Sequence, residues 1–319
     1  MPFLHELGIT HPCNMISVSL QRLFCSCVLL TASLPVLACR YAEVATLPLH
    51  IQPADGAPVI DVRVNNVIVP MLADTGYRRT VLTKTETDRQ QLPLIHSISP
   101  GFPDVLTAQP DDMLIGPMHA HKAYLTVIDY PPMSEYSGIV GADYLLQADL
   151  EIALADKKMS IFKADDCYNK SLAYWDPQAL EVPLLEQPSG FSTGMVEVKL
   201  NGRAARALID TGAPYSMVSL DFASRVDVTP ETVGTTITAD FVKRDGKTSP
   251  MWNAPFDSFT IGDETIAQPH IAITQIRSDN MVNMVLGRDF LRAHRVLLAF
   301  GQRRMYFSYL GGQVFAPPN

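Results

Sequence analysis

The stretch most informative about the fold is Ala204-Ala205-Arg206-Ala207-Leu208-Ile209-Asp210-Thr211-Gly212, where a mostly apolar run ends in an acid, a hydroxyl and a glycine. The same motif, Asp74-Thr75-Gly76, lies 136 residues earlier and follows the apolar run 67–73. Glycine permits a tight turn at a strand end and the close approach of another backbone. By average usage, one Asp-Thr-Gly arises by chance in roughly one chain of this length in twenty. A simple turn, with the aspartate bonded to local backbone, explains one copy but explains two copies in register poorly.

The sequence around the two Asp-Thr-Gly motifs is also repeated. Val62-Arg63-Val64-Asn65-Asn66 corresponds to Val198-Lys199-Leu200-Asn201-Gly202 at the same spacing. Ile139-Val140-Gly141 corresponds to Val285-Leu286-Gly287 at a spacing of 146 residues, so the second copy holds ten additional residues. Self-similarity of this kind predicts two copies of one structural unit.

The local pattern within each copy is typical of β-strands. Short alternating apolar runs are separated by hairpin signals such as Asn65-Asn66 and Asn201-Gly202. Apolar residues are spaced as in a helical turn or two only at residues 142–148 and 288–294. We therefore predict an all-β, bilobal fold, in which two small lobes are related by a pseudo-twofold axis and the functional site lies between them. The expected boundaries are 39–164 for the first lobe, 165–180 for a polar linker and 181–319 for the second lobe.

The repeated acid suggests a specific chemistry. If the lobes face each other, Asp74 and Asp210 meet at their interface. Two carboxylates in contact do not both ionise readily, so the pair is expected to hold one proton. The ionised member can then deprotonate a water while the protonated member polarises a carbonyl group. Thr75 and Thr211 can hydrogen-bond across the axis. The expected reaction is attack of water on an amide, with neither a metal nor a cofactor.

Both motifs resemble those of the retropepsin-like aspartic peptidases, which are related to the pepsins. The similarity lies in Asp210-Thr211-Gly212-Ala213 with Ser216, in Asp74-Thr75-Gly76 with Thr80, and in the apolar-apolar-glycine elements at 139–141 and 285–287. It covers nearly the whole chain after residue 38. The resemblance implies the bilobal β fold and hydrolysis of peptide bonds in a peptide or protein, with Asp74 and Asp210 as the catalytic pair.

The same resemblance assigns the supporting residues and the assembly. The residues expected to support the pair are Thr75, Gly76, Thr80, Thr211, Gly212, Ala213 and Ser216. Retroviral members build the site from two identical chains, whereas both halves are present here in one chain. The resemblance therefore implies a molecule that works as a monomer.

The first copy departs from the family pattern at Tyr77, where the family usually has a small residue. Tyr77 either lines a substrate subsite or crowds the acid pair, and crowding would leave an inactive peptide-binding or scaffold module. Arg78 and Arg79 are interpreted as solvated turn residues, with effects on the acidity of the pair or binding of an acidic substrate as alternatives. Neither copy has the hydroxyl that in pepsins follows the glycine and bonds the carboxylate. Its absence predicts a working pH less acidic than that of pepsin.

The additional residues of the second copy are expected in a hairpin. Residues 236–242 and the stretch leading to Trp252 are strand-like, and Asp245-Gly246 between them is a turn signal. In the family that this chain resembles, a hairpin here closes over the substrate. We therefore predict one flap at residues 236–253, with Phe241, Trp252 and Tyr77 as candidate contacts to a bound peptide. An ordinary surface hairpin is the alternative.

The first 38 residues are predicted to be an export signal, so the protein is expected to be periplasmic or secreted. Residues 23–37 are largely apolar, follow Arg22 and are too short for a membrane-spanning helix. A buried N-terminal helix is the alternative. Cleavage after Ala38 would leave Cys39 first, where a bacterial lipoprotein carries its lipid, so a lipid anchor at Cys39 is a further alternative. Because only Cys39 and Cys167 remain after cleavage, no disulfide framework is expected.

The net charge and the remaining motifs limit which binding partners and metal ions are expected. The chain has 25 basic and 33 acidic residues and a formal net charge of −8, so nucleic acid is not expected as a partner. His119 and His121 have a spacing that puts both imidazoles on one face of a strand. No acidic or cysteine partner is evident beside them, so they are interpreted as ordinary surface histidines rather than metal ligands. Two main hypotheses remain, an exported aspartic endopeptidase and an inactive binding module; a protease that processes only its own N-terminal region is a third.

Overall fold

The structure is a computed structural model that describes residues 39–53, 56–97, 105–129, 135–186, 193–238, 240–242, 248–276 and 282–315. The predicted export signal and the predicted turn at Asp245-Gly246 lie outside the described residues. Strands dominate, and the predicted all-β class is confirmed. Among the described residues, no helix combines the length and the apolar character that a membrane crossing needs.

The strands follow one another along the chain with short connections. In the N-terminal half they are β1 (Arg40–Pro48), β2 (His50–Ile51), β3 (Pro58–Val64), β4 (Val67–Ala73), β5 (Val81–Thr83), β6 (Leu94–Ser97), β7 (Val105–Ala108), β8 (Asp112–Ile115), β9 (Met118–His121), β10 (Leu125–Ile128), β11 (Gly138–Val140), β12 (Asp149–Ala153) and β13 (Lys158–Asp165). In the C-terminal half they are β14 (Leu180–Pro183), β15 (Met195–Leu200), β16 (Arg203–Ile209), β17 (Met217–Ser219), β18 (Thr236–Ile237), β19 (Phe241–Val242), β20 (Thr248–Ser249), β21 (Met251–Pro255), β22 (Ser258–Ile261), β23 (Glu264–Ala267), β24 (His270–Thr274), β25 (Met284–Leu286), β26 (His294–Ala299) and β27 (Arg304–Tyr309).

The helices are short. They are α1 (Lys84–Arg89), α2 (Ala142–Leu145), α3 (Leu220–Ala223) and α4 (Arg288–Ala293), with 3-10 turns at Leu154–Asp156 and Ser224–Val226. The apolar spacing predicts α2 and α4 but misses α1 and α3. Those two begin at the capping residues Thr83 and Ser219, whose hydroxyls accept the N–H groups of Glu86 and Phe222 at 3.2 Å. These caps, rather than apolar spacing, mark the two helices in the sequence.

Two large sheets share one strand order. The first-half sheet runs β6-β7-β10-β5-β11-β4-β3-β8-β9, with β2 on β3, and the second-half sheet runs β18-β21-β24-β17-β25-β16-β15-β22-β23. From β10 to β9 and from β24 to β23 the orders correspond strand for strand. Both contain a parallel pair at the same place, β4 with β11 and β16 with β25. A separate two-stranded ribbon is formed by β19 and β20.

A third, central sheet joins the halves in the order β1-β13-β12-β26-β27-β14. Its middle pair, β12 and β26, sets Glu151 opposite Leu297. The Glu151 side chain is fully buried and accepts hydrogen bonds from Arg295 at 2.9 Å and from the Tyr174 hydroxyl at 2.8 Å. Strands from both halves therefore share one continuous sheet and a buried ionic contact.

Part of the segment predicted as a polar linker, residues 165–180, packs against the central sheet. Leu172 and Ala173 are buried in a small cluster with Leu297. At its start, Cys167 forms a disulfide with Cys39, across a sequence separation of 128 residues. The expectation that no disulfide holds the chain together is therefore wrong, because antiparallel pairing of β1 with β13 brings these distant cysteines together.

Candidate functional site

Each Asp-Thr-Gly motif begins where a buried strand in the middle of its sheet ends. The N–H of Asp74, which follows β4, donates to the Val140 carbonyl of the neighbouring strand β11 at 3.0 Å. The N–H of Asp210, which follows β16, donates to the Leu286 carbonyl of β25 over the same distance. The backbone of both aspartates is therefore fixed by a parallel neighbour.

The two motifs lie against each other. A β-carbon added at Gly76 would overlap the carboxylate of Asp210, and one added at Gly212 would overlap that of Asp74. Any residue larger than glycine would thus displace the opposite acid. Asp74 is 7 % exposed and Asp210 is half-buried. The structure brings the two acids to one place, each beside the glycine of the opposite motif.

The threonines connect the motifs by reciprocal hydrogen bonds. The Thr75 hydroxyl accepts the Thr211 N–H at 3.1 Å and donates to the Ile209 carbonyl at 2.8 Å. The Thr211 hydroxyl accepts the Thr75 N–H at 3.0 Å and donates to the Ala73 carbonyl at 2.6 Å. Both side chains are buried, so the predicted contact across the axis is present and protected from water.

Backbone donors hold each carboxylate from its own side. The Gly76 N–H donates to Asp74 Oδ1 at 2.9 Å. The Gly212 and Ala213 N–H groups donate to Asp210 Oδ1 at 2.8 and 3.1 Å. These bonds fix one oxygen of each acid. Two acids held this way can bind a water and exchange a proton with it.

Thr80 and Ser216 make corresponding hydrogen bonds in the two halves. The Thr80 hydroxyl donates to Asp143 at 2.7 Å and accepts the Gly141 N–H at 3.0 Å. The Ser216 hydroxyl donates to Asp289 at 2.6 Å and accepts the Gly287 N–H at 3.0 Å. Burial raises the pKa of Asp289, against the hydrogen bonds from Ser216 and the Phe290 N–H. Asp143 and Asp289 thereby anchor the two loops.

Tyr77 and Ala213 occupy corresponding places on small apolar clusters beside the two motifs. Tyr77 is half-buried and packs against a cluster that contains Val81, Tyr136 and Ile139. Ala213 is buried in the cluster of Met217, Met251, Ala272 and Val285. Each residue follows a motif glycine directly, so the side chain that fills this place differs in size between the two halves. Arg78 and Arg79, next along the chain, are exposed.

Sequence reasoning missed Arg288 beneath the second motif. Its side chain is 1 % exposed, and Nη1 donates to the Gly212 carbonyl at 2.9 Å and lies 3.4 Å from the Thr211 carbonyl. The corresponding residue of the first half, Ala142, has no side chain that could reach so far. A buried cation here favours negative charge near the second motif. The only sequence signal is a charged residue where the repeat has alanine.

The predicted flap region contains paired strands. β18 pairs with β21, and β19 pairs with β20. The predicted contact Phe241 lies in β19, and its side chain is outside the described residues. Trp252 is half-buried and packs against the main hydrophobic cluster. Its neighbour Met251, on the other face of β21, packs beside Ala213 instead, because side chains alternate along a strand. The role of Phe241 and Trp252 as substrate contacts stays a prediction.

His119 and His121 do have an acidic neighbour. Asp112, on the adjacent strand β8, contacts both imidazoles, so the view that no acidic partner is near them is wrong. The pairing of β8 with β9 creates this contact, which spacing along the chain does not reveal.

One comparison with known proteins covers part of the second half of the chain. A model of the family described as aspartyl protease matches residues 196–290. The matched segment contains the motif at Asp210, the supporting Ser216 and its partner Asp289. No curated protein matches the chain. The match supports a peptidase-type hydrolase in general.

Proposed function

We propose that this protein is an aspartic endopeptidase, in which Asp74 and Asp210 together activate a water that attacks a peptide bond. One observation carries the proposal: each acid lies against the glycine of the other motif, within a nearly symmetric set of hydrogen bonds. The match of residues 196–290 to the aspartyl protease family supports the same function. The substrate is a peptide or protein, and one chain supplies both acids, so the protein works as a monomer.

In the proposed reaction, the two acids share one proton. The ionised carboxylate takes a proton from the bound water as the oxygen attacks the carbonyl carbon, while the protonated acid donates to the carbonyl oxygen. The resulting tetrahedral intermediate then collapses as a proton passes to the leaving nitrogen. The backbone N–H groups of Gly76 and Gly212 support this role, because they stabilise the charged form of either acid.

The halves are proposed to be a fused duplication, with lobes at 39–164 and 181–319. The equal strand orders of the first-half and second-half sheets support this proposal. So does the pairing of Glu151 with Leu297, because these residues occupy corresponding places in the repeat and meet at the centre of the shared sheet. A pseudo-twofold axis through that pair would also pass between the two motifs.

Export is proposed for the same chain, with residues 1–38 as the signal. The disulfide between Cys39 and Cys167 supports it, because disulfides persist in oxidising compartments. The pairing also favours the form without a lipid anchor, since one sulfur atom does not carry a thioether and a disulfide together. Intact-mass measurement on exported protein, with and without reduction, distinguishes the two forms.

The test of the activity is digestion of a peptide library across pH, with and without a statine-type inhibitor. Asp74→Asn and Asp210→Asn are each expected to lower the rate by at least about a hundredfold, since positioned acids and bases contribute that much or more. Asp263→Asn, at an exposed acid between β22 and β23, is the matched control and should cleave at the wild-type rate. If folded wild-type protein cleaves no peptide, the inactive binding module replaces the proposal.

Residues 236–253 are proposed as a flap over the substrate, supported by the pairing of β18 with β21. Deletion of residues 243–247 should raise KM and lower kcat on long peptides. Unchanged hydrolysis after the deletion would show that this hairpin is an ordinary surface feature.

A further inference from the structure

The hairpin formed by β8 and β9 carries three side chains with metal-binding atoms on one face. Asp112 and His121 are direct cross-strand partners, and His119 lies two residues before His121, so all three project to the same side. One ligand atom from each lies within 4.8 Å of the others. We propose that Asp112, His119 and His121 form a binding site for a divalent transition-metal ion.

The spacing of the donor atoms fits such an ion. His121 Nδ1 lies 3.4 Å from Asp112 Oδ1, and His119 Nε2 contacts the same oxygen. Two ligand atoms at about 2.0 Å from a tetrahedral Zn²⁺ are roughly 3.3 Å apart. The imidazole rings lie side by side, with centroids 4.0 Å apart. Small rotations of the exposed side chains are therefore sufficient to place the three atoms around one ion.

The backbone of Asp112 is held by hydrogen bonds that do not depend on an ion. The Asp112 N–H donates to the side-chain oxygen of Asn65 at 3.1 Å, and the Asp112 carbonyl accepts the Asn65 N–H at 2.7 Å. Beyond the histidines, the Lys122 N–H donates to the Asp111 carbonyl at 3.0 Å. The end of the hairpin that carries Asp112 and His121 is thus held by hydrogen bonds on both strands, so ion binding orders little there besides side chains.

The second half shows that the fold does not require these residues. The corresponding hairpin, β22 with β23, has the same pairing, and Ser258 and Ala267 stand where Asp112 and His121 stand in the first half. Thr265 takes the place of His119, and its hydroxyl lies 3.1 Å from that of Thr260. A hairpin of the same pairing therefore forms without an acid or an imidazole at these three positions, so the three ligands are additional to what folding needs.

The site is separate from the acid pair. Asp112 lies beside Asn65, at the turn between β3 and β4, whereas Asp74 follows the other end of β4. Seven residues of extended strand put the two places roughly 20 Å apart. The metal site and the proposed peptidase function can therefore fail independently. Three protein ligands leave at least one coordination position of a tetrahedral ion for water.

Isothermal titration calorimetry of the full chain with Zn²⁺, Cu²⁺ and Mg²⁺ tests the site. One Zn²⁺ per chain is expected, with tighter binding of Cu²⁺ and no competition by Mg²⁺, because imidazole ligands favour late transition metals. Asp112→Asn, His119→Ala and His121→Ala should each weaken Zn²⁺ binding by about tenfold or more, since even outer-shell changes cost on the order of 10–100-fold.

His50→Gln is the matched control. His50 is exposed and forms a histidine–aspartate pair with Asp61 at 3.3 Å, but within the part of the chain that the structure describes it belongs to no three-residue cluster of possible metal ligands. This variant should bind Zn²⁺ as the wild type does. No saturable binding by the wild type, or equal binding by all three ligand variants, would overturn the proposal. Peptide hydrolysis should be unchanged in the ligand variants, which separates this result from a loss of the peptidase site.

Discussion

The Thr75 hydroxyl accepts a hydrogen bond from the Thr211 N–H, and the Thr211 hydroxyl accepts one from the Thr75 N–H, at 3.1 and 3.0 Å. Each hydroxyl also donates to a carbonyl of the opposite strand end. The position of each acid therefore depends on a side chain from the other half of the molecule. Loss of either hydroxyl should disturb both acids.

Thr211→Val is expected to destabilise the protein by about 2–4 kcal/mol, because the change leaves a buried N–H and a buried carbonyl without their partners. Thr211→Ser keeps the hydroxyl, so its loss of stability should be much smaller. Urea unfolding of the two variants against wild type measures the difference. Equal stability of the serine and valine variants would contradict a role for the hydroxyl.

Gly76→Ala and Gly212→Ala should abolish peptide hydrolysis while the strands remain intact, because the new β-carbon overlaps the opposite carboxylate. Gly301→Ala is the control, since a β-carbon there meets no atom within 4 Å. Circular dichroism checks the fold and a peptide-cleavage assay checks the rate. Wild-type cleavage by either motif variant would show that the acids do not need this close approach.

Ala213→Ser adds a hydroxyl next to the Ala213 N–H, which already donates to Asp210 at 3.1 Å. The Gly212 N–H donates to the same acid, so the hydroxyl would be a third donor; it should stabilise the ionised acid pair and let activity persist to lower pH. A hydrogen bond to a charged group is worth about 1.5 kcal/mol, which corresponds to a shift of about one pH unit in the acidic limb. The peptidase activity of the wild type should not be maximal only below about pH 3.5. The pH profile of kcat/KM measures the pH optimum of the wild type and the shift of the acidic limb in the serine variant. A shift of that limb toward neutral pH would contradict the role of the new hydroxyl as a donor to Asp210.

Reduction of the Cys39–Cys167 disulfide should lower the free energy of unfolding. The bridge closes a loop with a sequence separation of 128 residues, for which chain entropy gives about 4–5 kcal/mol. Guanidinium unfolding with and without a reductant measures this loss. The double variant Cys39→Ser/Cys167→Ser is the control, because its stability should not change on reduction. Insensitivity of the wild type to reductant would mean that the cysteines are not paired in solution.

Arg295→Met should destabilise the protein by about 3–5 kcal/mol, because it leaves the fully buried Glu151 without its cation. The Tyr174 hydroxyl, whose pKa is raised to about 12 by burial and by Glu151, would remain a neutral donor but not a counter-charge. Arg304→Met removes an exposed pair with Glu181 on the same sheet and should cost about 0–1 kcal/mol. Thermal unfolding measures the stability of both variants. Equal losses of stability in Arg295→Met and Arg304→Met would show that the burial of Glu151 adds little to the cost of losing its cation.

Sequence pattern alone was enough to predict the all-β class, and it singled out the two acids that the structure brings together. Alternating apolar runs and asparagine turns encode strands locally, so the all-β class and the strand that precedes each motif follow from pattern alone. The residue types of Asp-Thr-Gly likewise predicted a close approach, because glycine is the residue that permits it.

Contacts between side chains far apart in sequence could be read only from the folded molecule. The Cys39–Cys167 bridge, Arg288 under the second motif and Asp112 beside two histidines all depend on strand pairing or loop packing between segments far apart in sequence. Pattern reasoning reads the periodicity of one segment at a time, whereas these contacts are set by register between segments. For the same reason Met251, rather than Trp252, lies beside Ala213: the sheet, not the composition of the hairpin, fixes which face of β21 points toward the site.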